Sequence, residues 1–398
     1  MTLSTSSDHS THNHSKDINK KPIAKSSLGT QARNRLTEVD FGRGLAVFLM
    51  MLVHTLWMYA DIPTQSETWL GAVIHFMGKG TAAFLLFMGI SFILSGNQSV
   101  KSAVLRGLLI LGFAYFMNTL KFIVPIEVFG TMPESFVNAY GWSSPLTIGQ
   151  LTYIVLTGDI LQMAGISFIL VGLIRHFLKS KYAYLALACL ITVVSKVVSG
   201  YQPDIDGLNY VARLFFSDHY QVYFPVFPWM SFILFGMFFG RLIEEQPNDY
   251  MKTMFRFGLL SLLVGGCLMF VDFEFHFGNF FHLGPGGAFY LLGITLILFR
   301  IIYAITISGR LKGVTRFFKY LSARVTSIYI IQWTLICWGM GIFGFQQHGV
   351  IGVLLLMPLV VFATLATQFM KDRLFQVIKN QSPTSKVTGN QTVAENKA

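Results

Sequence analysis

Long apolar segments recur along the chain from residue 41 to residue 370, and within each segment the apolar character is nearly continuous. An α-helix needs about 20 such residues to cross a bilayer, whereas a membrane β-strand would alternate apolar and polar positions. The pattern therefore predicts an all-α fold, a polytopic membrane helix bundle of about ten transmembrane helices. The predicted spans cover approximately residues 41–60, 76–95, 103–121, 158–178, 183–200, 225–243, 254–272, 287–307, 321–343 and 349–370.

Polar segments and helix breakers divide this pattern. Residues 1–36 and 376–398 are polar and lack an apolar core, so we expect disordered cytoplasmic tails on either side of a transmembrane domain of residues 37–375. The Gly-Lys-Gly sequence at residues 78–80 is a candidate break at the start of the second span. Residues 122–157 form a long connection with three prolines, which has room for a short interfacial helix.

The charge distribution indicates how the bundle is oriented. Charged residues make up only 12% of the chain, about half the usual share of a soluble domain, and the net charge is +11. Residues 61–74, 273–286 and 344–348 carry no lysine or arginine and residues 201–224 carry only Arg213, whereas the alternate connections are basic. By the positive-inside rule both termini are cytoplasmic, which agrees with an even number of spans. The basic residues therefore reflect membrane topology, and we expect no nucleic-acid partner.

A histidine lies inside the first predicted span. Residues 45–53 before His54 have no charged or hydrogen-bonding side chain, so the imidazole is carried into the membrane, where ionisable groups are functional candidates. Arg43 lies eleven residues earlier, close to three helical turns, so the two side chains share a helix face about 16 Å apart along the axis. Asp40 can pair with Arg43 at i,i+3. Helix capping and topology anchoring explain Asp40 and Arg43 equally well without a ligand.

Five further polar residues are candidates, each with a structural alternative. His75 and Lys79 are i,i+4 partners near the outer edge and could face an acceptor, although Lys79 can equally extend its stem to the interface. Asp159 and Gln162 open the fourth span, where capping and a polar contact between helices are sufficient explanations. His282 begins a glycine- and proline-rich stretch that is either an outer lid or a plain turn before the next helix.

Five short motifs follow one another in a recognisable order. Residues 38–54 contain Asp-Phe-Gly-Arg-Gly and end in the histidine, and residues 78–92 end in Gly-Ile-Ser-Phe. Residues 158–165 read Gly-Asp-Ile-Leu-Gln-Met-Ala-Gly, residues 227–240 contain Pro-Trp and paired glycines, and residues 321–332 form a late helix ending in glutamine. Together they resemble the bacterial members of the heparan-alpha-glucosaminide N-acetyltransferase catalytic-domain family, within the transmembrane acyltransferase superfamily.

This resemblance implies a multi-pass enzyme of the bacterial inner membrane. It would move an acyl group, most simply acetyl, from cytoplasmic acetyl-CoA or another acyl-CoA to a hydroxyl or amine of a sugar or glycan acceptor. The acceptor in the family name is not carried over. We expect no metal, because the three cysteines are far apart and have no metal-type spacing.

The resemblance also implies roles for the candidate residues. The eukaryotic lysosomal relatives use a histidine in an aromatic-rich loop after the first span, and this chain has no histidine between residues 55 and 74. The catalytic role then falls to His54 or His75. Arg43 would bind a CoA phosphate, with Asp40 orienting its guanidinium. The residues left to contact the acceptor are Lys79, Asp159, Gln162 and His282.

A membrane transporter or flippase is the alternative from a different functional class, and a non-catalytic partner that kept the fold is a third. In a transporter, His54 and Arg43 would form a proton or substrate path. The three-turn spacing favours the enzyme, because an acyl-CoA enzyme has a use for each member of the pair and a transporter does not require that spacing.

Overall fold

The computed structural model describes residues 36–95, 99–205 and 207–381, with side chains described to residue 378. The predicted tails lie outside these ranges, except for residue 36 and residues 376–381. Residues 376–381 continue the last helix past the expected boundary at residue 375. Every extended regular element within these ranges is a helix, and the only β-type pairs are two isolated bridges. The prediction of an all-α bundle is confirmed.

The helices fall into long membrane-crossing elements and short connecting ones. A π-helix, Thr119–Val128, directly continues the fifth helix. In chain order the α-helices are α1 (Thr37–Tyr59), α2 (Ile62–Glu67), α3 (Trp69–Gly78), α4 (Thr81–Leu94), α5 (Val100–Asn118), α6 (Glu134–Asn138), α7 (Ile148–Val155), α8 (Ile160–Phe177), α9 (Lys181–Val194), α10 (Leu208–Phe216), α11 (Val226–Glu245), α12 (Tyr250–Val271), α13 (Phe273–Phe277), α14 (Pro285–Ser308), α15 (Lys312–Ser322), α16 (Val325–Phe343) and α17 (Val350–Gln381).

Nine segments of the described chain are long and apolar enough to cross a membrane. They are α1, α3 with α4, α5 with the π-helix, α8, α11, α12, α14, α16 and α17. Helix α9 has only 14 residues and lies between α8 and α11 in the chain. Just beyond its end, the ammonium of Lys196 donates to the carbonyl of His282, 3.2 Å away. That contact places the end of α9 beside the loop that precedes α14. Nine of the ten predicted spans therefore match described helices of spanning length, and the tenth, residues 183–200, corresponds to the shorter α9.

Glycines allow the central helices to approach closely. Helix α11 packs against α4, where a Cβ added at Gly236 would lie 2.1 Å from the carbonyl oxygen of Leu86. The reciprocal position, Gly89, would meet the carbonyl of Ile233 at 2.0 Å. No side chain fits at either place. The small-residue pair Gly236 and Gly240 is therefore a helix-packing face, as its spacing indicates.

Helix α1 is held in the interior by contacts at both of its ends. Near its start, Phe41 packs on Phe318 of α15 with ring centroids 4.7 Å apart, and a Cβ at Gly44 would clash with the Phe318 carbonyl. Near its end, the hydroxyl of Tyr59 donates to the carbonyl of Ile336 in α16 at 2.8 Å. These contacts fix the rotation of α1 about its axis, and hence the direction in which His54 points.

The two predicted irregularities are present. The second span breaks between α3 and α4 at Lys79 and Gly80. The long connection of residues 122–157 holds the end of the π-helix and the short helices α6 and α7. Both irregular segments lie at the end of the bundle where α1 terminates, which we call the cavity end.

Candidate functional site

A cavity of about 490 Å³ opens among the connections at the cavity end. Twelve of its 28 lining residues are aromatic, and the remainder include polar groups from six different helices and connections. The aromatic lining residues are Trp57, Phe122, Phe136, Tyr140, Tyr153, Tyr220, Tyr223, Phe224, Phe281, Tyr329, Trp333 and Phe345. A concave, largely apolar cavity with a few convergent polar groups is the usual form of a small-molecule site.

One face of α1 lines the cavity over much of its depth. Ala46, Met50, His54 and Trp57 follow one another at intervals of three or four residues and all contribute to the lining. Eleven residues from Ala46 to Trp57 correspond to about 16 Å along the helix axis. Arg43 lies one turn before Ala46 on this face, so the shared face predicted for Arg43 and His54 is the face that borders the cavity.

His54 is buried in the cavity wall and held from two sides. Its Nδ1 lies 3.2 Å from Nε2 of Gln332 in α16. Its ring stacks on the indole of Trp333 with centroids 4.1 Å apart. Gln332 is fully buried, and its Oε1 has no hydrogen-bond partner among the described residues. The ring is therefore fixed in position, and the amide of Gln332 determines which imidazole nitrogen carries the proton.

Asp159 connects three elements beside this histidine. As the N-cap of α8 it accepts a hydrogen bond from the backbone N–H of Ile160 through Oδ1, at 2.7 Å. Its Oδ2 accepts from the hydroxyl of Tyr329 at 2.9 Å and lies 3.5 Å from Nζ of Lys121. The capping role predicted for Asp159 is present, and the second carboxylate oxygen contacts two other residues of the cavity lining.

Gln162 supports Asp159 and lies outside the lining. Its Oε1 accepts from the backbone N–H of Asp159 at 3.0 Å, and its Nε2 donates to the carbonyl of Thr157 at 3.1 Å. With both ends of the amide engaged and the side chain fully buried, no part of it is available to a bound molecule. Gln162 therefore positions the carboxylate of Asp159 and does not line the cavity in which a direct acceptor contact is predicted for it.

Lys121 is the component that sequence reasoning missed. It lies in the π-helix with only 3% of its surface exposed, and its ammonium sits 4.6 Å from the Trp333 ring centre and 4.8 Å from that of Phe122. A lysine at the end of a predicted span was itself a signal, because ionisable groups inside a membrane are rarely without a partner. Its partner, Asp159, is 38 residues away in sequence, so the pair could not be recognised from spacing.

The residues predicted to bind the cofactor lie away from the lining, towards the start of α1. Asp40 accepts a hydrogen bond from the hydroxyl of Ser322 at the end of α15, at 3.0 Å. Arg43 is half-buried, one turn from the deep end of the cavity. Their position permits contact with a molecule that reaches the cavity from this side, but neither residue lines it.

His75 and Lys79 lie at the rim of the cavity rather than inside it. Nδ1 of His75, which is exposed, is 3.5 Å from the indole N–H of Trp57. The ammonium of Lys79 lies over the rings of Phe76 and Phe277, 5.4 and 5.3 Å from their centres. Of the two predicted catalytic histidines, only His54 lines the cavity.

His282 holds together two loops at the cavity end. It is 4% exposed, and its Nε2 is 3.1 Å from the carbonyl of Val222, next to the lining residue Tyr223. Burial lowers the pKa of His282, so the ring is neutral near pH 7. It does not line the cavity, and it is more than a plain turn residue because it positions the wall of the cavity. Burial raises the pKa of Tyr223 to about 12, which keeps that hydroxyl protonated.

The sequence profile of the family described as heparan-alpha-glucosaminide N-acetyltransferase, catalytic, matches residues 35–266. The match covers more than half of the chain and includes His54, Lys121 and Asp159. No curated protein gives a significant match to the chain. The chain is therefore a multi-pass membrane protein that belongs to the heparan-alpha-glucosaminide N-acetyltransferase catalytic family, which implies transferase activity.

Proposed function

We propose that this protein transfers an acetyl group from cytoplasmic acetyl-CoA to a hydroxyl or amine of a sugar acceptor bound in the cavity, in the inner membrane of a bacterium. The observation that carries the proposal is the position of His54. Its imidazole lies in the cavity wall, anchored at Nδ1, with the Lys121, Asp159 and Tyr329 group in the same wall. An anchored imidazole facing a bound substrate has the arrangement of a general base.

The base role requires one tautomer of His54. Nε2 can accept a proton only if the ring hydrogen is on Nδ1, and Gln332 then has to present Oε1 rather than Nε2 to that nitrogen. A half-turn of the amide exchanges the two atoms. Because Oε1 has no other partner among the described residues, this rotation breaks no other hydrogen bond made by that oxygen. In this arrangement Gln332 is the positioning residue for His54.

The reaction then proceeds without a metal. Nε2 of His54 takes the proton of the acceptor hydroxyl or amine as that atom attacks the thioester carbonyl. The tetrahedral intermediate collapses, the C–S bond breaks, and the imidazolium returns the proton to the CoA sulfur. Lys121, whose ammonium has N–H donors beyond the one directed at Asp159, would stabilise the negative charge that develops on the carbonyl oxygen, and Tyr329 would hold Asp159 in place. Transfer through a transient acyl group on Nε2 is the second route open to the same histidine.

The two substrates would approach from opposite ends of the cavity. The deep end reaches Ala46, one turn from Arg43, whose planar guanidinium suits a CoA phosphate. Asp40, fixed by Ser322, would help to orient Arg43. The acceptor would enter at the cavity end, where aromatic faces can pack on a sugar ring and Lys79 lies at the rim.

Binding and transfer of radiolabelled acetyl-CoA by the purified protein test this proposal. We expect Arg43→Ala to weaken acetyl-CoA binding about tenfold or more, the scale of one lost charge-assisted contact. His54→Ala should retain binding and lose transfer by at least about a hundredfold. The exposed residues Arg316 and His176 supply matched controls, and alanine at either position should change neither quantity.

The alternative function gives a different result. A transporter would show no affinity for acetyl-CoA or for any other short acyl-CoA, and His54→Ala would abolish proton-coupled uptake into vesicles instead. Either finding would overturn the acetyltransferase proposal.

A further inference from the structure

The charges at the cavity end are unbalanced. Apart from the buried Lys121–Asp159 pair, the described connections at this end carry eight acidic residues and three lysines or arginines. The acidic residues are Asp61, Glu67, Glu127, Glu134, Asp204, Asp218, Asp272 and Glu274. A molecule arriving from this side therefore meets a surface of net negative charge, which repels anions and lowers their local concentration.

The three cations at this end are engaged outside the cavity lining. Arg213 donates to two glutamine side-chain oxygens at 2.9 and 3.3 Å. Lys196 donates to the carbonyl of His282 at 3.2 Å, and the ammonium of Lys79 lies over two phenyl rings. None of the three lines the cavity. An anionic substrate would therefore meet none of these three cations in the cavity lining.

Inside the cavity the single lysine is already neutralised. Lys121 is paired with Asp159 at 3.5 Å and packed against Trp333 and Phe122. A carboxylate, sulfate or phosphate entering here would lose its hydration beside Asp159 and gain no unpaired partner. Burying a charge without a partner is among the most costly steps in binding.

The remaining lining groups suit an uncharged polar molecule. The lining combines aromatic rings with neutral hydrogen-bonding groups, among them Thr81, Gln65, Gln346 and the tyrosine hydroxyls. Ring faces pack on the C–H surface of a pyranose, and hydroxyl and amide groups bind its hydroxyls.

We infer that the acceptor group entering the cavity is a saccharide without negative charge, and that sugars bearing a uronate, sulfate or phosphate are excluded. The inference rests on the proposed function, because it names the acceptor class for that reaction. The inference therefore gives this protein a different acceptor from heparan, the polyanionic saccharide in the family name.

A matched pair of ligands tests the inference. Methyl β-glucoside and methyl β-glucuronide differ only in a neutral hydroxymethyl group against a carboxylate. Binding to the protein in detergent is followed by quenching of tryptophan fluorescence, with Trp333→Phe used to assign the signal to the cavity. We expect the glucoside to bind at least about tenfold more tightly than the glucuronide. We also expect its affinity to be insensitive to salt.

A charge added at the rim supplies an internal control. Tyr220 lines the mouth and is 61% exposed, so Tyr220→Lys should fold. Tyr220→Gln removes the same ring without adding charge and is the reference. Relative to it, Tyr220→Lys should reduce the ratio of the glucuronide and glucoside dissociation constants at least about threefold.

The outcomes separate the inference from the proposed function. Equal or tighter binding of the glucuronide by the natural protein would overturn the inference, as would binding of neither glycoside at millimolar concentration. If the glucoside is preferred but labelled acetyl-CoA gives no transfer to any sugar, the charge preference stands and the acetyltransferase proposal fails. If the glucuronide is acetylated faster than the glucoside, the transferase proposal stands and the inference fails.

Discussion

The imidazole of His54 stacks on the indole of Trp333 with their ring centres 4.1 Å apart, and the Lys121 ammonium lies 4.6 Å from the same indole. Trp333 therefore sets the position of two groups that come from different helices. Their placement in the cavity depends on a residue that need not react with either substrate.

Trp333→Ala should lower the rate of acetyl transfer about a hundredfold, because displacement of a catalytic group by about 1 Å costs that much. Trp333→Phe keeps a ring face and should retain most of the activity. Trp69, which is 63% exposed, supplies the control, since Trp69→Ala should leave the rate unchanged. Steady-state transfer with acetyl-CoA and a simple glycoside gives the comparison. Equal rates for the Phe and Ala variants at position 333 would contradict the positioning role.

Lys121→Met should destabilise the protein by about 3–5 kcal/mol, because it leaves the carboxylate of Asp159 buried without its cation. Asp159→Asn in the same background removes the unpaired charge and should recover much of the loss. Thermal unfolding in detergent of the single and double variants measures the coupling. If the two substitutions are simply additive, the two groups do not form an energetically coupled pair.

Tyr329→Phe should reduce transfer and leave acetyl-CoA affinity unchanged. The phenol donates to Asp159 at 2.9 Å, and a hydrogen bond to a charged group contributes about 1.5–3 kcal/mol. Losing it loosens the carboxylate and, through it, the position of the Lys121 ammonium beside the reacting carbonyl. Comparison of kcat with the dissociation constant for acetyl-CoA separates the two effects. A weakened affinity with unchanged kcat would place Tyr329 in donor binding instead.

Gly236→Ala should destabilise the bundle by about 1–3 kcal/mol, the usual cost of overpacking, because the added carbon would lie 2.1 Å from the Leu86 carbonyl oxygen. Gly112 in α5 is the matched control, since a Cβ there meets nothing within 4 Å. Gly112→Ala should be neutral or slightly stabilising, because alanine favours the helix. Melting temperatures of the two variants in the same detergent measure the change in stability that each substitution causes. A melting temperature for Gly236→Ala equal to that of the natural protein would show that α4 and α11 can separate.

Stability should fall as the pH drops below about 6.5, in part because of His282. Burial lowers its pKa in the folded protein, whereas the unfolded chain binds a proton below about 6.5. The unfolded state therefore gains protons first, and folding becomes less favourable from that pH down to the folded pKa. His282→Gln should make the pH dependence of the melting temperature shallower. An unchanged slope would show that His282 does not contribute to it.

The outline of the bundle was predictable because each membrane helix is determined by its own stretch of sequence. A few neighbouring residues are enough to predict each of these features. They are the ten apolar stretches, the break at Lys79 and Gly80, and the packing glycines Gly236 and Gly240. Lipid exposure imposes continuous apolar sequence on every span, so these features do not depend on knowing the partners.

The site was only partly predictable because its contacts join distant parts of the chain. His54 was identified from its own surroundings in sequence. Its partner Gln332 is 278 positions away, and Tyr329 is 170 positions from Asp159. Gln162 was placed among the acceptor ligands because its spacing from Asp159 does not distinguish a capping box from a ligand pair.

The π-helical turn that carries Lys121 sets a length constraint on the chain. A residue removed anywhere between α5 and Lys121 would turn the lysine by about 100° about the helix axis, away from Asp159 and towards lipid or a neighbouring helix. Wide turns of this kind are frequently found at functional sites. Chains of this architecture that lack the extra residue would keep the bundle and the histidine yet lose the cation, so the spacing in this segment gives a simple way to tell which of them retain the same chemistry.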